Sequence, residues 1–311
     1  MYYPLLRARQ FELIALRELA ANGAIQDCIM PVLEPVKETQ SNLDLAYTVF
    51  KEHKLMTYLI VNPEVGVLSG DREVFVNYLV GLEGSVFLPA FYYNDNADYI
   101  KQSIDKNGLT NCMIICHSNV SADNEGFQTL LLMPEISAIT VEDPERNRGL
   151  SRPLKKTGKT IIRLDDLFEK KERNSDYLSI PEHRFSEEHL YYKDEDFRGF
   201  SDYTVLPAEY SDSGSTPRAV VIHLTYLDEK NQIRIRHFTS DSNDSIANVQ
   251  GKFAEAAEKA VMYCRERGFL NSAIAELSKH FDEQHYPGLG IIKKISIKNH
   301  LLVVSQYLQN R

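Results

Sequence analysis

Residues 86–142 read VFLPAFYYNDNADYIKQSIDKNGLTNCMIICHSNVSADNEGFQTLLLMPEISAITVE. Three apolar runs, Val86–Tyr92, Cys112–His117 and Ile136–Glu142, alternate in it with two segments of helical pattern. The first helix, Asn96–Asn107, stops at Gly108, because glycine accepts the left-handed conformation that ends a helix; the second covers Glu125–Leu132. The runs lack polar alternation, as expected of strands covered on both faces. Parallel neighbours need a crossover connection, so strand, helix, strand, helix, strand points to a parallel α/β sheet.

The same rhythm extends outward. Upstream come strands at Tyr2–Arg7, Cys28–Val36 and Thr57–Val61. Helices lie between them, from Phe11 to Asn22-Gly23, at Asn42–His53, and from a cap at Asp71 to Leu82. Downstream, Thr160–Leu164 is the seventh strand. No GxGxxG or GxxxxGK[ST] stretch opens a helix, which argues against dinucleotide and P-loop sites. The near-constant spacing and the polar strand ends favour a TIM-barrel-like fold, incomplete or atypical, over an open doubly wound sheet.

The rhythm breaks at Leu167–Phe200, a charged segment containing His183 and His189. Asp202–Leu206 reads as a closing strand, and Ala219–Tyr226 with Gln232–Phe238 as a β-hairpin around Asp228–Asn231. In the second hairpin strand Ile233, Ile235 and His237 share one face, Arg234 and Arg236 the other. Phe253, Ala256, Ala257, Ala260, Val261 and Cys264 mark an amphipathic helix, followed by one at Ser272–Phe281 and a last one capped by Ser296. The expected organisation is β/α units over 1–166, an insertion over 167–200, and a closing strand, hairpin and helices over 201–311, packed on the barrel as one domain overall.

The chain has 311 residues, 44 Asp+Glu against 35 Lys+Arg, and a net charge of −9. Apolar runs are too short for a membrane span, and the N-terminus does not read as a secretory signal. Cys28, Cys112, Cys116 and Cys264 show no paired spacing, so neither zinc nor disulfides are expected and a reduced, cytoplasmic setting fits. Acidic excess concentrates in 160–215, with 14 acidic against 7 basic side chains. The tail from Ile291 carries Lys293, Lys294, Lys298 and Arg311 and no acid, leaving room for a local basic patch, although the overall charge does not favour nucleic acid.

Function in parallel α/β folds collects at strand C-terminal ends. Those ends hold Arg7, Glu34, Asn62, His117, Glu142, Asp143, Arg163, Asp165 and Asp166, with Asp202 and Tyr203 beside the closing strand. His117 titrates near neutrality and is the proton-transfer candidate, with Asp143 and Asp165 as further catalytic candidates. Arg7, Glu34, Asn62, Glu142, Arg163, Asp202 and Tyr203 are the ligand-binding candidates; converging carboxylates could hold a divalent cation, while Arg7 or Arg163 meets an anionic group. The competing reading makes the same residues caps, turn formers and structural ion pairs, such as Arg163 with Asp165. Glu142-Asp143-Pro144 is similar to the metal-binding strand ends of enolase-type barrels, but their lysine pair has no counterpart. Glu12 reads as a carboxylate offsetting a helix dipole. His223 and His237 face each other across the hairpin, and with no third ligand nearby, packing outweighs a metal pair. No GxSxG or HExxH stretch is present.

Tyr3-Pro4-Leu5-Leu6-Arg7-Ala8-Arg9-Gln10-Phe11-Glu12 with Ala15-Leu16 resembles the opening of the beta family of phage and bacterial proteins. Pro31–Val36, Val61-Asn62-Pro63, Phe200-Ser201-Asp202-Tyr203, Ile222-His223, His237–Asp241 and Gly290–Lys294 extend the resemblance over nearly the whole chain. It implies an α/β-barrel-type fold, association with mobile elements and anti-phage conflict, and a small partner protein encoded nearby. It brings no settled activity, so Arg7, Glu12, Glu34, Asn62, Asp202, Tyr203, His223 and His237 match without assigned roles. Three functions are expected from the strand-end residues and the resemblance taken together: a conflict-system component with a phosphate-bearing or nucleotide-like ligand at the strand ends, a non-enzymatic scaffold or antitoxin-like binder, or, from the carboxylates, a metal-dependent phosphodiesterase or nuclease.

Overall fold

The computed structural model describes residues 1–311 except 38, 72, 83 and 213–216. The chain runs through β1 (Leu5–Leu6), α1 (Gln10–Ala21), β2 (Val32–Leu33), α2 (Ser41–Glu52), β3 (Thr57–Ile60), α3 (Val74–Val80) and β4 (Phe87–Tyr93). It continues through α4 (Ala97–Asn107), β5 (Cys112–Cys116), α5 (Glu125–Leu131), β6 (Ile136–Glu142), α6 (Arg148–Leu154) and β7 (Thr160–Asp165). A 3-10 turn (Asn174–Ser179), β8 (Glu182–Ser186) and α7 (Glu188–Tyr191) precede β9 (Gly199–Asp202). The remainder is β10 (Val221–Leu227), β11 (Ile233–Thr239), α8 (Val249–Arg267), α9 (Ser272–Asp282) and α10 (Leu289–Gln309).

Strands β1 to β7 and then β9 form one parallel sheet in that order. Tyr2 bridges to Ile29 on one side and Phe200 on the other, and the Tyr3 N–H donates to Phe200 O at 2.9 Å. The ring therefore all but closes along a short seam, and the fold is a TIM-barrel-like α/β structure. Its interior is packed rather than open: Leu5, Val32, Ile60, Tyr92, Met113, Ile115, Ala138, Ile162 and Leu164 fill it.

The seam explains Gly199. A Cβ there would overlap the Tyr3 ring and approach Met1 O to 3.2 Å. Tyr3 is buried and the second obstacle is backbone, so neither yields easily. Gly199→Ala is expected to cost about 1–3 kcal/mol, the usual penalty of overpacking; an unchanged urea midpoint would contradict it.

The second half departs from expectation in four places. The eighth barrel strand is Gly199–Asp202, not Asp202–Leu206, so the barrel extends past residue 166. The 167–200 segment is ordered around that strand, and its β8 pairs antiparallel with β11, making a three-stranded sheet with β10. A short helix, α6, fills the β6–β7 connection. The last helix starts at Leu289, and Ser296 is a buried interior residue of it rather than its cap.

Helix α10 is buried nearly all round because it lies between α1, α9 and β10. Its cations are consumed there. Lys294 Nζ meets Glu18 and Glu276, both at 2.7 Å, and Lys298 Nζ meets the same two at 2.5 and 2.8 Å. Lys293 meets the buried Glu12 at 3.3 Å. The basic run near the C-terminus is thus an interhelix charge network, not a surface patch. All four cysteines are buried and free. Among the described residues no helix is long and apolar enough to cross a membrane.

Candidate active site at the barrel mouth

Side chains alternate along a strand, so only every second strand-end residue points into a barrel. Residues 162 and 164 lie in the interior cluster; Arg163 and Asp165, at the alternate positions, therefore point outward. Arg163 is held there by Asp165 at 2.8 Å, by Glu195 at 2.5 Å and by Glu188. Asp202 also points outward, accepting from Tyr2 Oη beside His300, in a buried network behind the sheet. Asp143 starts a turn with φ 44 and pairs with the exposed Arg146 at 3.4 Å. Asp143, Arg163, Asp165 and Asp202 are therefore outside the mouth, as turn, ion-pair and packing residues.

The inward parity gathers Arg7, Glu34, His117, Glu142, Asp166 and Tyr203. Glu34 is fully buried. It accepts from Arg7, from Tyr92 Oη at 2.9 Å, and from the amides of Glu64 and Val65 at 2.9 and 3.2 Å. Arg7 also donates to Ala208 O at 2.5 Å and lies over the Tyr203 ring at 5.4 Å. Burial works against the guanidinium charge, but Glu34 more than compensates and holds its pKa above the usual value. Asn62 is structural: its amide accepts from Tyr92 N at 2.9 Å and donates to Tyr92 O at 2.8 Å, locking two strand ends together.

His117 is the centre of the accessible chemistry. Its Nδ1 lies 3.1 Å from Glu142 and its Nε2 2.8 Å from Glu64, while its ring stacks on Tyr92 at 5.1 Å. Each of the three side chains is about one-third exposed, at 32%, 29% and 35% for His117, Glu142 and Glu64. Hydrogen bonds to Glu142 and then Glu64 raise the His117 pKa to about 10, against its partial burial. The same bond lowers the Glu142 pKa. The imidazole is therefore protonated at neutral pH, and both ring nitrogens donate. Because the His117 pKa is raised and that of Glu142 lowered, the trio's contribution to stability is complete between the usual carboxylate range and about pH 6.5, and disappears as pH rises through about 10 or falls below that carboxylate range.

No family model, curated protein or solved structure matches the chain. The site stands on its own geometry.

Glu64 and Tyr92 were not among the strand-end candidates. Tyr92 was legible, since it shares the face of Ala90 within β4; Glu64 lies in a loop and its approach to His117 follows from the Glu34 contacts to that loop's amides. The segment after β9 borders the same site: Ala208 N donates to Asp166 at 3.3 Å, and Lys170 meets Glu209 at 2.7 Å. Between it and Arg7 and Tyr203 lies a cavity of about 170 Å³, below the size of a drug-like ligand site. Among the described residues no three His, Cys, Asp or Glu side chains are disposed to hold a metal ion. Glu34 and Glu142 are occupied by protein donors, so the divalent cation expected at the strand ends has no built site here.

Proposed function

We propose that the chain binds a small hydroxyl- or amine-bearing molecule in the barrel mouth and transfers a proton to it from His117. The observation that carries this is the Glu64–His117–Glu142 trio, a doubly held imidazolium reachable from solvent at the active end of a barrel. A ligand group that displaces one carboxylate removes the contact that raises the His117 pKa. The pKa then falls toward neutrality, and the ring becomes a general acid only when the site is filled. Carboxylates Glu34, Glu64, Glu142 and Asp166 outnumber the cations Arg7 and His117, and Arg7 is engaged by Glu34 and Ala208. A neutral ligand therefore fits this mouth better than a phosphate, and unlike an ammonium it has a lone pair to take the proton from His117.

The test is saturation-transfer NMR against panels of polyols, aldoses and weakly basic amines that are neutral at about pH 7. Binding by the native chain, lost or weakened at least about tenfold in His117→Gln, is expected from losing a charged hydrogen bond. No binder in any panel, or equal binding by the variant, contradicts the proposal. The resemblance contributes a further element, work beside a protein partner in phage–bacterium conflict. Recovery of a stable complex on co-expression with the adjacent gene product supports that element, and recovery of the chain alone removes it.

A further inference from the structure

A groove of about 1130 Å³ lies outside the barrel, between α6 with the residues after it and the 193–198 segment leading into β9. Its cations are Arg148, Arg152, Lys155, Lys156, Lys193 and Arg198. Residues 146–159 hold six Lys+Arg and no acid, within a chain whose net charge is −9. Such segregation is not what a solvated surface of mixed sign produces.

The six cations of the groove face three acids, Glu145, Glu195 and Asp196, and the first two of these are engaged. Glu145 pairs with Arg148 at 2.5 Å, and Glu195 turns to the buried Arg163 at 2.5 Å. Lys155 is fixed over the Phe197 ring at 3.9 Å and donates to Glu195 O. Among the described residues Arg152, Lys156, Lys193 and Arg198 have no carboxylate partner, and all four are exposed. They present charge from both walls into one concavity.

We propose that this groove binds nucleic acid through its phosphate backbone, without reading base sequence. Arg148 and Arg152 are one turn apart on α6, about 6 Å along its axis, and Lys156 follows just beyond the end of the helix. A strand of duplex DNA carries a phosphate about every 3.4 Å of axis, so each cation meets a phosphate of its own. The aromatic ring in the groove, Phe197, is buried beneath Lys155 rather than offered for stacking. Contacts are thus to phosphate, and phosphate contacts position without specifying sequence. The acidic remainder of the chain repels the polymer elsewhere and confines it to this face.

Fluorescence anisotropy with a labelled 20-base-pair duplex, with dT20 and with inorganic polyphosphate as separate probes tests this. Duplex binding with a dissociation constant on the order of 10 μM at 50 mM salt is expected, with a log–log salt slope near about −3.6 for four phosphate contacts. Arg152→Gln/Lys156→Gln/Lys193→Gln/Arg198→Gln, all at exposed positions, should weaken binding at least about tenfold and flatten the slope. Lys101→Gln/Lys106→Gln/Lys230→Gln/Lys279→Gln changes net charge equally at exposed sites elsewhere and should bind as the native chain does. The proposal is overturned by no duplex binding, by polyphosphate binding alone, by native-like binding of the groove variant, or by equal loss in the control variant. Discrimination of more than about tenfold between duplexes of different sequence would also overturn it, because backbone contact carries no sequence information.

Discussion

Glu34→Ala should lower stability by about 3–5 kcal/mol, the loss typical when one partner of a buried ion pair is removed. The carboxylate is fully buried and takes four donors at once: the Arg7 guanidinium, the Tyr92 hydroxyl and two consecutive amides. Alanine leaves a guanidinium that is 15% exposed without its counter-charge, and three further donors without an acceptor. Ala208 O remains, and a neutral carbonyl does not replace a carboxylate. Glu34→Gln keeps one acceptor oxygen but sets an amide NH2 against a donor, so its loss should be smaller, about 2 kcal/mol. Urea unfolding decides between these, and a Glu34→Ala midpoint within about 1 kcal/mol of native would show the pair to be dispensable. The same substitution reaches the chemistry. Glu64 is held against His117 by the loop whose amides Glu34 accepts, so freeing the loop should lower the His117 pKa from about 10 toward that of a singly paired histidine. A ring titration unchanged in Glu34→Gln would separate the anchoring of the loop from the chemistry of the trio.

The barrel was legible because its strands are short apolar runs at regular intervals, and Cys112–Cys116 or Ile136–Glu142 admit no other reading. What escaped lacked that signal. In β9, Gly199-Phe200-Ser201 has no β-branched run, since the seam needs a glycine against Tyr3. Helix α6 is seven residues long with Pro153 inside it, too short for periodicity to show. Helix α10 begins inside Pro287-Gly288-Leu289-Gly290, which reads as a turn; its glycine is required because a Cβ at Gly290 would overlap Phe11. For the site, position at a strand end was readable but not sufficient. Parity within the strand decides whether a side chain enters the mouth, and it separates Glu142 from Asp143 and Leu164 from its neighbours Arg163 and Asp165. Parity could have been applied to the sequence itself, because Ile162 and Leu164 are the apolar positions of that strand. Glu64 could not, since its place depends on a loop contact. The basic groove does not show in the local charge balances, because its cationic run at 146–159 precedes both the acidic excess of 160–215 and the basic tail.

Acid should act on the fold between about pH 6.5 and 4 through the imidazoles of the hairpin, opposed over the same range by the Glu188 carboxyl, which burial raises to about 7. His223 Nδ1 and His237 Nδ1 lie 2.7 Å apart, and His237 Nε2 lies 3.2 Å from His183 Nε2. His183 Nδ1 donates to Arg184 O at 2.9 Å, which leaves its Nε2 as an acceptor. His237 must then donate from Nε2 and accept at Nδ1, and His223 must donate from Nδ1. Every tautomer in the chain is fixed, and an added proton at the Nδ1 pair would set two donors against each other. The third imidazole lies on the far side of the His237 ring, so the three do not converge on one metal position. Burial, then the neighbouring His183, lowers the His237 pKa to about 4, with Glu169 opposing and Lys171 adding to the shift. Burial, then His237 and His183, pushes His223 well below its usual value. In the unfolded chain both titrate near 6.5, so between about pH 6.5 and 4 the unfolded state binds more protons and stability falls with falling pH. For His237 alone the loss is about 2 kcal/mol by pH 5. Glu142 and Glu276, whose pKa values are lowered, add their own acid lability from the usual carboxylate range downward, at the lower end of this window. Buried His189, with its pKa also lowered by burial, remains as a smaller contribution of the same sign. Between about pH 7 and 5 the urea midpoint should therefore fall further for the native chain than for His223→Leu/His237→Leu, by at least the His237 contribution, because the opposing carboxyls are common to both. A double variant that loses as much stability as the native chain over this range would place the acid sensitivity elsewhere.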